Sequence, residues 1–305
     1  MAKGIPAKGF RVYKSGKVAY IGQNKNDNNV AHSANNVVEI RPNIIKHEEP
    51  MIIETDDQIK ERITERFSII KNLTEGCVMG DVRALIVSGK AGLGKSYTIE
   101  ETLREWDIDG YHHTIIKGYV RATGLVKTLY DYREKGNVVV FDDADSIFFD
   151  ETSLNLLKAV CDTTERRTVN WLSERILVSE ENAVPIPKKF DFEGTIIFVT
   201  NYDFLGMIEK NHKLAPHLEA LVSRALYIDC GLKTQRDCVI RIRQMVENHI
   251  LNDLTVERKK EILDFIDTEK NNLRELTLRM AVKLGSLVKT YGNNWEKYAR
   301  ITCCK

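Results

Sequence analysis

The sequence predicts an α/β fold, in which a parallel sheet with helices on both faces is followed by a small all-helical part. Three observations predict it. Short, almost wholly apolar runs, the mark of strands buried on both faces, occur at Ala84 to Val87, Thr114 to Ile116, Val138 to Phe141, Thr195 to Val199 and Leu226 to Ile228. Stretches with helical spacing lie between most of them, which makes the connections crossovers and the strands parallel. The strands cease after Asp229, and Arg236 to Leu251, Val256 to Ile266, Leu273 to Val288 and Asn294 to Ala299 carry helical patterns instead.

A chain of 305 residues, 43% of them hydrophobic, can bury a sizeable core in one large domain or two moderate ones. With 45 basic and 44 acidic side chains, no bulk field selects a nucleic-acid or membrane partner. The charge is uneven, however. Residues 1–20 carry five basic and no acidic side chains, and residues 233–305 carry 15 basic and 10 acidic, so either end can meet phosphate or acidic protein, or simply be solvated. The six cysteines show neither C-x-x-C nor zinc spacing, which predicts a reduced, intracellular protein. No apolar segment approaches 18 residues, and the N-terminus lacks the apolar region of a signal peptide. A soluble, cytoplasmic protein without a membrane partner is expected.

Taken in order, residues 1–52 form a basic N-terminal arm and linker. Phe10, Val12, Val18, Tyr20 and Ile21 flank Lys14, Ser15, Gly16 and Lys17 in a hairpin pattern, and Asn24, Asn26, Asn28, Asn29, Asn35 and Asn36 mark a polar linker. A helix starts at the capping box of Thr55 and Gln58, repeats Ile59, Ile63, Phe67, Ile70 and Leu73 at helical spacing, and is expected to stop at Gly76. The first strand then runs into Gly89, Lys90, Ala91, Gly92, Leu93, Gly94, Lys95 and Ser96, the pattern G-x-x-x-x-G-K-[ST]. Its glycines let backbone amides turn toward phosphate oxygens, Lys95 adds positive charge near the outer phosphates, and the Ser96 hydroxyl can ligate magnesium. Tyr97, Ile99, Leu103 and Trp106 continue as a helix whose N-terminal dipole favours an anion. Strand, loop and helix in this order predict a phosphate-binding loop, with Gly89 to Tyr97 as the nucleotide-binding residues. Residues 53–232 are expected to form the nucleotide-binding domain and 233–305 a helical domain.

Two further strands end in polar chemistry. Val138 to Phe141 lead into Asp142, Asp143, Ala144 and Asp145. Asp142 can hold magnesium through water or Ser96, and Asp143 can orient an attacking water; Asp145 suits a helix cap or an interface. Thr195 to Val199 lead to Thr200 and Asn201, which either holds the attacking water or γ-phosphate or forms a turn. Between these strands, Thr168 to Glu193 breaks the alternation, and Val169 to Leu172 and Arg175 to Val178 suggest an inserted hairpin.

GKAGLGKS, VVVFDDAD, IIFVTN and LVSRAL, in this order and followed by four helices, resemble the AAA+ ATPases, in particular compact phage-encoded members, over roughly residues 55–300. The resemblance implies a sheet order of 5-1-4-3-2, a helical lid, and ATP with Mg2+ bound between them and a neighbouring subunit of a homo-oligomeric ring, a hexamer. It implies that Lys95 and Ser96 hold phosphate and metal, that Asp142 is the Walker B metal residue, and that Asn201 is sensor 1. Arg224 matches an arginine finger acting in trans. Arg274 matches sensor 2 at the start of a lid helix, with Arg279 as the fallback, and Arg166 or Arg167 as a second interface arginine. The family usually has Glu where this chain has Asp143; the acid is one methylene shorter, so hydrolysis is slow or the site has adapted to it.

Tyr119, in Gly118 to Gly124, stands where ring-forming remodellers carry an aromatic pore loop. It either grips a polypeptide, or stacks on nucleic-acid bases while Lys117 and Arg121 meet phosphates, or sits in the core. The expected function is an ATPase that remodels or translocates a macromolecule, protein or nucleic acid. The alternatives are a replication accessory ATPase and an ATP-binding scaffold with little hydrolysis.

Overall fold

The computed structural model describes residues 10–12, 18–20, 54–174 and 176–305. Residues 1–52 and 53–305 are two separate units. In the first, β1 (Phe10–Val12) pairs antiparallel with β2 (Val18–Tyr20), with Phe10 opposite Tyr20 and Val12 opposite Val18, the pairing the alternation predicts. The asparagine-rich linker lies outside the described residues.

The second unit opens with α1 (Asp56–Met79), capped as its sequence requires: the Thr55 side chain accepts from the Gln58 N–H, and the Gln58 side chain accepts from the Thr55 N–H. The helix runs through Gly76 and stops at Gly80, which takes φ +83°. Gly76 serves close packing instead, because a Cβ there would stand 2.8 Å from Val82 Cγ2.

The remaining elements alternate. They are β3 (Ala84–Ser88), α2 (Lys95–Trp106), β4 (His113–Lys117), α3 (Ala122–Asp131), β5 (Val138–Asp142), α4 (Glu151–Val160), the short β6 (Thr168–Asn170) and β7 (Lys189–Asp191), β8 (Thr195–Thr200), α5 (Phe204–Glu209), α6 (Ala215–Val222) and β9 (Leu226–Asp229). All five long strands are parallel, in the order β4-β5-β8-β3-β9. These labels depart from 5-1-4-3-2 because the N-terminal and inserted hairpins take numbers; counted alone, the five strands of this sheet run 5-1-4-3-2. Successive residues feed opposite faces. Ile86, Phe141 and Phe198 pack beneath α3 and α4, while Leu85, Val87, Val140 and Val199 pack with Ile63, Ile70 and Ile99 of α1 and α2.

The inserted hairpin differs from the expected one. Its ladder joins Thr168–Asn170 to Lys189–Asp191, with Val169 opposite Phe190, and Val178 bridges to Pro185 farther out. Buried Val169 and Phe190 fix that register.

The chain ends in α7 (Gln235–Asn248), α8 (Val256–Glu269), α9 (Leu278–Tyr291) and α10 (Trp295–Cys303), which bury a core of their own around Ile242, Ile262, Leu284 and Trp295. The third of these begins at Leu278 rather than Leu273, because Thr277 caps it by accepting from the Met280 N–H. Residues 53–305 nevertheless form one compact unit. All six cysteines are buried free thiols, and among the described residues no helix is long and apolar enough to cross a membrane.

Candidate nucleotide site

The register places the ends of the strands on one edge: Ser88 faces Thr200 and Asp229, and Asp142 faces Lys117 and Val199. The loops leaving those ends meet there. Between β3 and α2, Gly89, Gly92 and Gly94 take φ of +141°, +70° and +104°, values that favour glycine. Space is tight as well, since a Cβ on Gly92 would stand 3.0 Å from Thr277 Cβ and one on Gly94 3.2 Å from an Arg241 guanidinium nitrogen. Leu93 anchors the loop in the core, while Lys90 reaches outward to the Lys233 carbonyl at 2.9 Å.

Lys95, 5% exposed, donates to the Gly89 carbonyl (2.6 Å), the Lys90 carbonyl (2.9 Å) and Asn201 Oδ1 (2.9 Å). Burial lowers its pKa below the ordinary lysine value, against the raising influence of Asp143 and Asp142. Ser96 Oγ donates to Asp142 Oδ1 at 2.7 Å, and Asn201 Nδ2 donates to Asp143 Oδ1 at 2.8 Å. One amide therefore joins the buried cation to the second acid. Asp143 holds φ +51°, a strained value for a side-chain-bearing residue, and its N–H donates to the Val199 carbonyl. Asp145 accepts from Thr200 Oγ1 at 2.7 Å, which ties the β5 loop to the β8 turn carrying Asn201; burial raises its pKa.

These groups open on a cavity of about 510 Å³ lined by Gly92, Gly94, Lys95, Ser96, Tyr97, Asp143 and Asn201 on the sheet side. Met245, Ile250, Leu278, Arg279, Val282 and Lys283 close it from the helical part. Of the two arginines expected near the nucleotide, one lines the cavity. Arg274 precedes α9 and turns away, its N–H donating to the Cys303 carbonyl and its Nε to the Cys304 carbonyl at 3.0 Å, whereas Arg279, the second residue of α9, lines the cavity. Moving the helix start to Leu278 makes the difference. Arg224 follows α6 and stands outside the cavity; its guanidinium donates to the Ala220 carbonyl at 2.7 Å, and its buried Nε has no hydrogen-bond partner among the described residues.

Beyond β4, Tyr119 is 76% exposed, so it is no core residue. Lys117 has acidic partners within the chain. It donates to Glu100 of α2 at 2.6 Å and pairs with Asp142 at 3.4 Å, and the Glu100 bond raises its pKa. Arg166 pairs with Asp191, and buried Arg167 donates to the Val160 and Gly194 carbonyls, which gives both structural partners. The apolar wall of Met245, Ile250 and Val282 escaped the sequence reading, because side chains at helical spacing serve a core and a ligand wall alike.

No protein-family model matches the sequence. It is 35% identical over 250 residues, 81% of this chain and 76% of the relative, to the uncharacterized 36.7 kDa protein of the nrdC–mobD intergenic region of Enterobacteria phage T4. The chain belongs to the same family as this phage protein. Similar solved structures include a mutant of Thermotoga maritima RuvB, at 12% identity and TM-score 0.46 over 81% of this chain and 70% of that one. Another is AMPPCP-bound DnaA from Aquifex aeolicus, at 14% identity and TM-score 0.44 over 77% of this chain and 64% of that one.

Proposed function

We propose that this protein is an AAA+ ATPase that binds Mg-ATP in the cavity between the phosphate loop and α9, hydrolyses it at an interface between copies in a hexameric ring, and uses turnover to remodel or translocate a macromolecule in the cytoplasm. The observation that carries the reading is the convergence of Lys95, Ser96, Asp143, Asn201 and Arg279 on one cavity. The residues fit the nucleotide and its metal. Ser96 Oγ and Asp142 are adjacent hard oxygens, and magnesium typically takes one or two protein oxygens plus phosphates rather than a protein cage. Among the described residues no cluster of three or more His, Cys, Asp or Glu offers such a cage. Bound magnesium would neutralise charge on the phosphates.

Lys95 exchanges its loop carbonyls for phosphate oxygens. Asp143 orients the attacking water and accepts its proton, and the Asn201 amide keeps that carboxylate aimed. Arg279 takes the sensor 2 role that the resemblance assigns to Arg274. The helices from 233 onward act as the lid, the arm of residues 1–52 as a partner-binding extension, and Arg224 completes the site of the neighbouring copy. Tyr119 contacts the macromolecule.

A slow ATPase or nucleotide-binding scaffold is a second reading, favoured by Asp143 being both short and engaged by Asn201. ATP turnover measured alone, with single-stranded DNA, with double-stranded DNA and with an unfolded protein separates these readings. Stimulation by DNA that falls steeply with salt identifies a nucleic-acid substrate, and stimulation by unfolded protein a remodeller. Absence of hydrolysis in every mixture removes the enzyme reading. The shared site is tested by mixing Arg224→Ala with Lys95→Ala chains: partial recovery of turnover supports hydrolysis in trans, and no recovery argues against it.

A further inference from the structure

The helical part holds the phosphate loop from behind at two successive carbonyls. The N–H of Leu278, the first residue of α9, donates to the Gly92 carbonyl at 2.7 Å, and Arg241 of α7 donates through Nε to the Leu93 carbonyl at 3.3 Å. Arg241 is 7% exposed, and among the described residues no carboxylate pairs with it. Its guanidinium lies on the ring of Phe67 from α1, with Cζ 3.5 Å from the centroid. Burial pushes its pKa down to about 10, which leaves it charged at neutral pH.

A buried cation without an acid is costly unless charge of opposite sign is supplied. The surroundings show from where. The N–H and C=O of one peptide point in opposite directions, so a donor on the Leu93 carbonyl fixes the Gly94 N–H on the other side, and a donor on the Gly92 carbonyl does the same for the Leu93 N–H. The N–H groups of Gly92, Leu93 and Gly94 make no hydrogen bond among the described residues, and Gly92 and Gly94 line the cavity. We infer that Arg241 is a positioning residue for the phosphate chain of a nucleotide: it aims the Leu93–Gly94 peptide at the anion and places a positive charge behind the loop. This rests on the reading of the cavity as an ATP site.

The test is equilibrium binding by the full-length protein, in EDTA so that no turnover occurs, of a fluorescent ATP analogue displaced by ATP, inorganic tripolyphosphate or adenosine. Arg241→Gln is expected to weaken ATP and tripolyphosphate about ten- to a hundred-fold, the range for losing a charge-assisted bond, and to leave adenosine within about twofold. Arg241→Lys, which keeps charge but not the fork, should lose about three- to tenfold on the phosphate ligands alone. Equal losses for adenosine and tripolyphosphate mean that the residue merely supports the helical part, and overturn the inference; so does wild-type affinity in the Gln variant. If the Gln variant does not fold, the Lys variant decides by the same comparison. Failure of the wild-type protein to bind the analogue, ATP or tripolyphosphate overturns the ATP reading itself, and this inference with it.

Discussion

Replacing Arg279 and Arg274 separately by Ala tests which arginine of the helical part serves the nucleotide. Arg279 stands in the wall of the cavity with Lys95, Ser96 and Asn201, while Arg274 spends its Nε on the Cys304 carbonyl. A hydrogen bond from a charged group contributes about 1.5–3 kcal/mol. Loss of one to a phosphate is therefore expected to lower kcat/KM for ATP about 10- to 150-fold in Arg279→Ala, with the melting temperature held, because the side chain is exposed and caps nothing. In Arg274→Ala the backbone bond to the Cys303 carbonyl survives, and only the part-buried Nε bond is lost, about 0.5–1.5 kcal/mol, which lowers the melting temperature by a few degrees. Its kinetics should match wild type. Steady-state ATP turnover and thermal unfolding on the same preparations check both. A kinetic loss in Arg274→Ala together with wild-type kinetics in Arg279→Ala refutes the assignment.

Other consequences follow from single positions. Tyr119→Ala should leave stability and unstimulated turnover unchanged and remove stimulation by the macromolecular substrate, since the ring is largely exposed; loss of basal turnover places it in the site instead. Gly194→Ala sets a Cβ 2.5 Å from the Tyr132 carbonyl oxygen, so unfolding in urea should occur about 1–3 kcal/mol earlier, and an unchanged midpoint contradicts the packing described. Burial raises Cys161 to about 12 and Cys230 to about 11 from an ordinary value near 9. The unfolded chain gives up those thiol protons first, so each thiol's contribution to stability is complete below pH 9 and falls by about 1.4 kcal/mol per pH unit above it until its folded pKa is passed. Urea unfolding between pH 9 and 10 should thus be less pH-dependent in Cys161→Ala than in wild type.

The strands were legible because burial on both faces leaves nearly continuous apolar runs, and the loop after β3 because its backbone takes the positive φ that favours its glycines. Gly76 misled because glycine marks both helix ends and close approaches, and only Val82 tells them apart. The hairpin was legible as an insertion but not in its pairing, since alternation names the buried face and not the partner strand. Arg274 and Arg279 are the same residue type five positions apart. Thr277, a capping residue followed by a helical pattern, was the signal that settles which lies inside the helix. Arg241 reads as one more cation of an amphipathic helix, and nothing local announces that Phe67, 174 positions earlier, covers it.

The cavity walls come from both ends of this unit: Gly92 to Tyr97 from the loop after β3 and the first turn of α2, Lys283 from its penultimate helix. Nearly every contact that closes it joins residues distant in sequence, the topology that folds slowly. A nascent chain emerging from the ribosome holds the complete GKAGLGKS loop while almost two hundred residues of its far wall are still to be made. On the proposed function, nucleotide binding is thus a late event in the life of the chain, and a ligand that binds only the finished cavity selects the folded molecule by mass action.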